Sequence, residues 1–198
     1  MKKYIPHILL ALILLLNLNA EADEASGANS TPNMLVYIQP VEYTNPIKLW
    51  HYYRDYWFYQ GPVVEHLAMP KLTQLYGAVS LCESNQSANT LVWLQPRMFY
   101  NPQVQVFYGK VTANVYTGVG KLVGTYVGES KQHGFLDIKP DYWIEKAYAL
   151  AIDEMIGKMQ ADNTLQALIN TPQANSANAA PCSMVTLLPT PKIRAMSF

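Results

Sequence analysis

Ser130, Lys131 and His133 fall within four residues of one another in the run Gly128-Glu129-Ser130-Lys131-Gln132-His133. These are the residue types of a hydrolytic nucleophile with its base. Such a pair must meet within hydrogen-bond reach, with a third group orienting the base. The run follows a segment of strand character, and neighbouring side chains on a strand point to opposite faces. Closeness in sequence therefore works against a dyad here, and no G-x-S-x-G elbow offers another nucleophile. The run reads as a polar exit from a strand. His51, His66 and His133 are widely scattered, and Glu65-His66 lacks a second histidine four residues on. The H-E-x-x-H pattern is thus absent, and zinc needs four clustered ligands or three and a water. Asp141 and Glu145 share a helix face four residues apart, where acidic groups complement the positive end of a helix dipole. Gly118, Gly120 and Gly124 sit inside a hairpin pattern and lack the strand-to-helix context of a dinucleotide fingerprint. These readings lead to an expectation of no catalytic residue, no metal and no cofactor.

Two features remain with chemical content. Cys82 and Cys182 are the only cysteines. Too few for a zinc site, they pair as a disulfide if the chain enters an oxidising compartment. The second feature is Leu49 to Tyr59, LWHYYRDYWFY, in which seven of eleven residues are aromatic. No helix or strand hides all seven rings on one buried face. Tyr and Trp combine an apolar body with a polar tip and are enriched at interfaces. Trp50, Tyr53, Tyr56 and Trp57 are accordingly the candidate partner-binding residues. A dense aromatic core with its hydroxyls at the surface is the other reading of the same rings.

The elements that must hold these residues follow from periodicity. Residues 34–41 read as a strand, ending near Pro40. Residues 62–76 show apolar spacings of three and four, with Pro70 forcing a new turn or a kink and Gly77 as the cap. Short strands at 78–82 and 90–100 come next. Two further segments, 103–108 and 110–117, change parity across Gly109, as a β-bulge would cause. Residues 118–120 turn the chain into a strand at 121–128, so 90–128 reads as an antiparallel meander. The long helix at 140–159 has Pro140 in its first turn and a broad apolar face through Ala147, Ala151 and Met155. A short helical turn is expected over 165–169. The expected fold class is α+β: an antiparallel sheet with helices packed on one face. The expected domain spans 34–170, followed by a low-complexity linker and tail at 171–198.

Charged residues make up 14% of the chain, well below the roughly 25% of an average protein. Without Lys2 and Lys3, twelve basic residues face fourteen acidic ones. No basic patch points to nucleic acid. The N-terminus joins Lys2-Lys3 to an apolar run of nine residues, Ile8 to Leu16, and then to Ala20-Glu21-Ala22. A bilayer span needs roughly 20 apolar residues. A short apolar run behind a basic start and before small residues is a secretory signal, here residues 1–22, with a lead-in at 23–33. No transmembrane span is expected after cleavage, and no cysteine precedes Cys82 to take a lipid anchor.

In the order of its elements, carried by residues 35–41, 78–81, 90–99 and 144–156, the chain resembles the small α/β domains of bacterial envelope accessory proteins. These are the N-terminal domain of the TolB type and the auxiliary components of envelope transport systems. The resemblance implies a non-enzymatic periplasmic adaptor or assembly component whose partners are other envelope proteins. It also allows peripheral contact with a membrane. A lipid- or peptidoglycan-binding protein using the aromatic segment is the alternative, and a serine hydrolase built on Ser130 and His133 comes last. N-terminal sequencing of protein recovered from cells is expected to start at Glu21 or Asp23, and a start at Met1 or Lys2 would refute the signal.

Overall fold

The computed structural model describes residues 32–83, 86, 88–170 and 181–185. The signal, most of the lead-in, most of the linker and the end of the tail lie outside the described residues.

Three long strands set the frame: β5 (Thr90–Asn101), β6 (Val106–Thr117) and β7 (Leu122–His133). They pair antiparallel in sequence order, with Met98 opposite Gly109 and Gly109 opposite Ser130. On the far side of β5 lies β1 (Met34–Ile38), and beyond it β4 (Val79–Leu81), giving the order β4-β1-β5-β6-β7. Here the expectation of a wholly antiparallel sheet is corrected. β1 runs parallel to both β5 and β4, so the sheet is mixed within an α+β fold. Side chains alternate with period two in either kind of pairing, so alternation in the sequence does not distinguish them. The sequence Met-Leu-Val-Tyr-Ile does carry a trace of it, because central parallel strands read as continuous apolar runs.

Among the described residues four α-helices complete the fold: α1 (Val41–Thr44), α2 (Gln60–Tyr76), α3 (Pro140–Ala161) and α4 (Asn163–Asn170). α2 continues through Pro70 and ends where Gly77, at φ 79°, donates its N–H to the Thr73 carbonyl at 3.0 Å. Only glycine adopts that backbone without strain. Between β1 and α2 the chain forms a separate hairpin of β2 (Ile47–Leu49) and β3 (Tyr56–Phe58).

The main core lies between the sheet and the helices. Val36, Val92, Leu94, Phe107, Val111 and Ala113 from the strands meet Val64 and Leu72 of α2, and Ala147, Ala151, Ile152 and Met155 of α3. Helix 140–159 thus buries the face expected of it. The alternate strand residues, Leu35, Leu91, Trp93 and Tyr116, build a smaller cluster that includes Cys182. Cys182 stands in a 3-10 turn, Pro181–Met184, held by a disulfide to Cys82 with Cα atoms 5.5 Å apart.

Gly109 corrects a second expectation. It sits in regular register in both pairings, and the irregularity of β6 falls between Val115 and Tyr116. Phe107, Gly109, Val111, Ala113 and Val115 are all buried at alternate positions, so no change of parity occurs. The sequence misleads because Val104 lies in the turn before the strand and Val106 opens it. What Gly109 supplies is room. A Cβ there would stand 3.0 Å from the Ala147 carbonyl oxygen, and one on Gly128 would stand 1.8 Å from that of Ala151. α3 therefore lies with its backbone almost on the strands. At the Gly109 contact, Ser130 Oγ donates to the same Ala147 carbonyl at 2.7 Å. Residues 128–133, read from sequence as an exit, are part of β7, and 106–117 is one strand rather than two segments.

α3 also seals the outer edge of β7. Lys158 donates to the Val127 carbonyl at 2.7 Å, and Glu154 accepts the Glu129 N–H at 2.8 Å, the two side chains being paired at 2.6 Å. These bonds hold the Glu154 carboxyl below its ordinary value. Unpaired edge strands template aggregation, and charged side chains are one way to blunt them.

Two outcomes follow. Gly128→Ala is expected to cost about 1–3 kcal/mol or more by overpacking. Gly157→Ala, whose added Cβ meets nothing within 4 Å, is expected to gain about 0.5–1 kcal/mol of helix propensity. Urea unfolding of the pair reads both, and equal shifts would refute the close contact at Gly128. Cys182→Ser opens a bridge spanning 100 residues and is expected to cost about 2–5 kcal/mol in the same assay.

Candidate functional site

The aromatic segment folds as the β2–β3 hairpin and its connecting turn. Lys48 pairs with Trp57 and Leu49 with Tyr56 in antiparallel register. Alternation divides the hairpin cleanly. Leu49 and Phe58 turn inward and are buried in the main core, where Phe58 lies 6.5 Å from the Tyr148 ring. Trp57 and Lys48 turn outward, and Trp57 is 57% exposed. Trp50, at 51%, lies next to the turn with its ring edge-on to Tyr52 at 5.1 Å. Tyr53, in the turn, is 93% exposed. Lys48 bridges to Asp55 at 2.7 Å and stands 5.8 Å from the centre of the Trp57 ring. Of the four candidate residues, three are thus open to solvent. Tyr56 is half-buried, stacks on Phe58 and donates its hydroxyl to Asp141 at the start of α3. Its pKa is pushed up to about 12 by burial first and by the Asp141 carboxylate next.

The two ends of the hairpin are fixed by two sets of polar contacts that sequence reasoning did not find. Just after β3, the buried Gln60 donates to Glu42 at 2.8 Å and accepts the Tyr148 hydroxyl at 2.6 Å. Tyr148 is fully buried and its pKa stands well above the ordinary value for that reason. Burial also raises the Glu42 carboxyl, against the Gln60 bond and Arg97, which lower it. Ahead of β2, Tyr43 donates to Glu65 of α2 at 2.6 Å. A buried glutamine offers both a donor and an acceptor, so one side chain ties α1, α2 and α3 around the hairpin. The only signal in the sequence is a glutamine directly after an aromatic run, which has no periodicity to expose it.

Beside the hairpin is a cleft of about 310 Å³, lined by Trp50, by Met98, Tyr100 and Asn101 from the end of β5, and by Gln103 of the turn that follows. His51 packs on Tyr100 with ring centres 6.3 Å apart, and its Nδ1 is buried without a hydrogen-bond partner among the described residues.

The residues tested for catalysis do not assemble. Ser130 is buried and bonded to the α3 backbone. His133, three residues on along β7, belongs to the opposite face of the sheet. Asp141 is engaged by Tyr56. Among the described residues no group of three His, Cys, Asp or Glu side chains could hold a metal ion, and no helix is long and apolar enough to cross a membrane.

No family's sequence profile matches the chain, and no curated protein matches it. Solved structures that share part of its course include the following two. Protein XCC0632 from Xanthomonas campestris, of the DUF330 family, is 10% identical over 67% of this chain and 90% of its own, with a TM-score of 0.43. A candidate lipoprotein from Caulobacter crescentus CB15 is 14% identical over 56% of this chain and 84% of its own, with a TM-score of 0.33. Likenesses at this level assign neither a family nor a function.

Proposed function

We propose that the chain is an exported, non-enzymatic adaptor of the bacterial envelope that docks a protein partner through the outward side of its aromatic hairpin. One observation carries the reading. Trp50 and Trp57 stand half-exposed on a hairpin whose inward side already fills the core with Leu49 and Phe58. Exposed apolar surface of that kind marks interaction sites, and tryptophan leads the residues on which binding energy concentrates. The Lys48–Asp55 bridge flanks these rings with polar groups, as at the rim of an interface. Export is supported by the short apolar N-terminal run and by the Cys82–Cys182 bridge, since disulfides persist in oxidising compartments.

A second reading, a bound glycan or lipid, is favoured by the cleft beside Trp50, where an aromatic ring and the amides of Asn101 and Gln103 line the same space. Sites for small ligands combine such apolar walls with a few placed polar groups.

The experiment uses Trp50→Ala and Trp57→Ala. A buried Trp→Ala change costs about 3–5 kcal/mol, whereas these variants are expected to lose about 1 kcal/mol or less, in line with surface positions. Recovery of the protein that cross-links to wild type in intact envelopes is expected to fall sharply in both. If both variants lose several kcal/mol, the rings belong to the core and the docking reading fails. Unchanged recovery at unchanged stability would equally sink it, and co-purifying glycan or lipid lost in Trp50→Ala would favour the second reading.

A further inference from the structure

We infer that the cleft beside the aromatic hairpin is a binding site for an uncharged sugar, one pyranose face lying on Trp50 and its hydroxyls meeting the amides of Asn101 and Gln103. Such a site rests on the second reading given above, with its ligand class now named, and leaves Trp57 to a protein partner.

The lining is in place before any ligand arrives. Tyr52 meets the Trp50 ring edge-on at 5.1 Å. Tyr100 is packed by Phe107 at 4.5 Å and by His51 at 6.3 Å. The Gln103 N–H donates to Asn101 Oδ1 at 3.0 Å, which fixes the plane of that amide at the start of the turn. A pocket already ordered spends little of its binding energy on being ordered.

Charge excludes ions as ligands. Lys48 is the sole charged residue on the lining, and its ammonium is already bridged to Asp55 at 2.7 Å. Among the described residues no carboxylate lines the cleft to take a cation.

The neutral groups then favour a sugar over an acyl chain. Leu49, Met98 and Tyr100 line the cleft with apolar surface, the Tyr100 hydroxyl being spent on the Gly134 carbonyl at 3.3 Å. Beside them, the amide nitrogen of Asn101 and the side chain of Gln103 have no hydrogen-bond partner among the described residues. An amide both donates and accepts, and so does each hydroxyl of a sugar. A pyranose also carries a face of C–H groups, which suits the electron-rich face of an aromatic ring, here an indole 51% exposed. An acyl chain leaves both amides unused. It also needs length, and about 310 Å³ is at the low end of the roughly 300–1,000 Å³ of small-ligand sites.

The test is a nuclear magnetic resonance titration of the exported protein with cellobiose, maltose and N,N′-diacetylchitobiose. The indole N–H signal of Trp50, identified by its loss in Trp50→Ala, and the side-chain amide signals of Asn101 and Gln103 are expected to move. At least one of the three sugars is expected to bind with a dissociation constant of about 1 mM or below. Trp50→Ala is expected to weaken that binding tenfold or more. Gln103→Ala, in an exposed turn, is expected to weaken it severalfold with the thermal midpoint unchanged, a second reading that does not touch the hairpin. Trp57→Ala is expected to keep the sugar and lose the cross-linked protein, and Gln103→Ala to keep the protein and lose the sugar. Failure of the sugar site and failure of the adaptor reading are therefore distinguishable. The sugar site is overturned if none of the three sugars moves these signals, or if both cleft variants bind as wild type does. It is also overturned if dihexanoylphosphatidylcholine moves them in place of the sugars, which gives the cleft to a lipid. Loss of the cross-linked protein in Gln103→Ala, with no sugar bound by wild type, gives it to the protein partner instead.

Discussion

The approach of the α3 backbone to β6 and β7 at Gly109 and Gly128 sets the position of nearly everything else. A helix normally stands off from a sheet by the thickness of its side chains. Here two strand glycines and two helix alanines, Ala147 and Ala151, remove that thickness along one line. The larger side chains, Ile144, Tyr148, Ile152 and Met155, are then pressed into the spaces on either side. Interiors tolerate neither voids nor excess volume, so the helix has one depth and one rotation at which it fits. The first turn of α3 inherits that placement, and with it Asp141, which holds Tyr56 of the hairpin.

The hairpin is thus positioned from two directions. Below it, Leu49 and Phe58 lie in the core. At its end, Gln60, Glu42 and Tyr148 form a chain of hydrogen bonds in which the glutamine both donates and accepts. Such buried polar chains fix geometry when every member is satisfied. The result is a rigid base for rings that make little use of it themselves. Trp50 and Trp57 stand open on a hairpin that is tightly held, which is the arrangement a docking residue needs, because the cost of ordering it is met during folding rather than on binding.

Much of the scaffold was legible. The helix at 140–159 announced itself by Pro140 and by eight apolar residues at helical spacing, and the cap at Gly77 and the antiparallel run from Thr90 onward were equally clear. Crowding implied that some of the seven rings stay exposed, but the sequence left a dense aromatic core as the other reading and did not say which rings face water. What stayed hidden shares a physical cause, dependence on contacts far apart in the chain. The parallel course of β1 depends on where α2 returns the chain. Gly109 looks the same in sequence whether it makes a bulge or makes room for a helix carbonyl. Gln60 acquires its role only when Glu42 and Tyr148 arrive from opposite sides.

The closure of the β7 edge by Glu154 and Lys158 has a consequence for how this fold diversifies. β4 at the other edge is only three residues long, and the outer strand is occupied by its own helix. Strand addition, which would recruit partners through main-chain hydrogen bonds common to all sequences, is therefore discouraged at both sides. Recognition is left to side chains on turns and on the hairpin, away from the glycine contacts that fix the core. Scaffold and specificity are then separable traits: the turn at 50–55 can be exchanged for another of similar length while the sheet and α3 stay as they are. A lineage built on this plan keeps its architecture and changes its company.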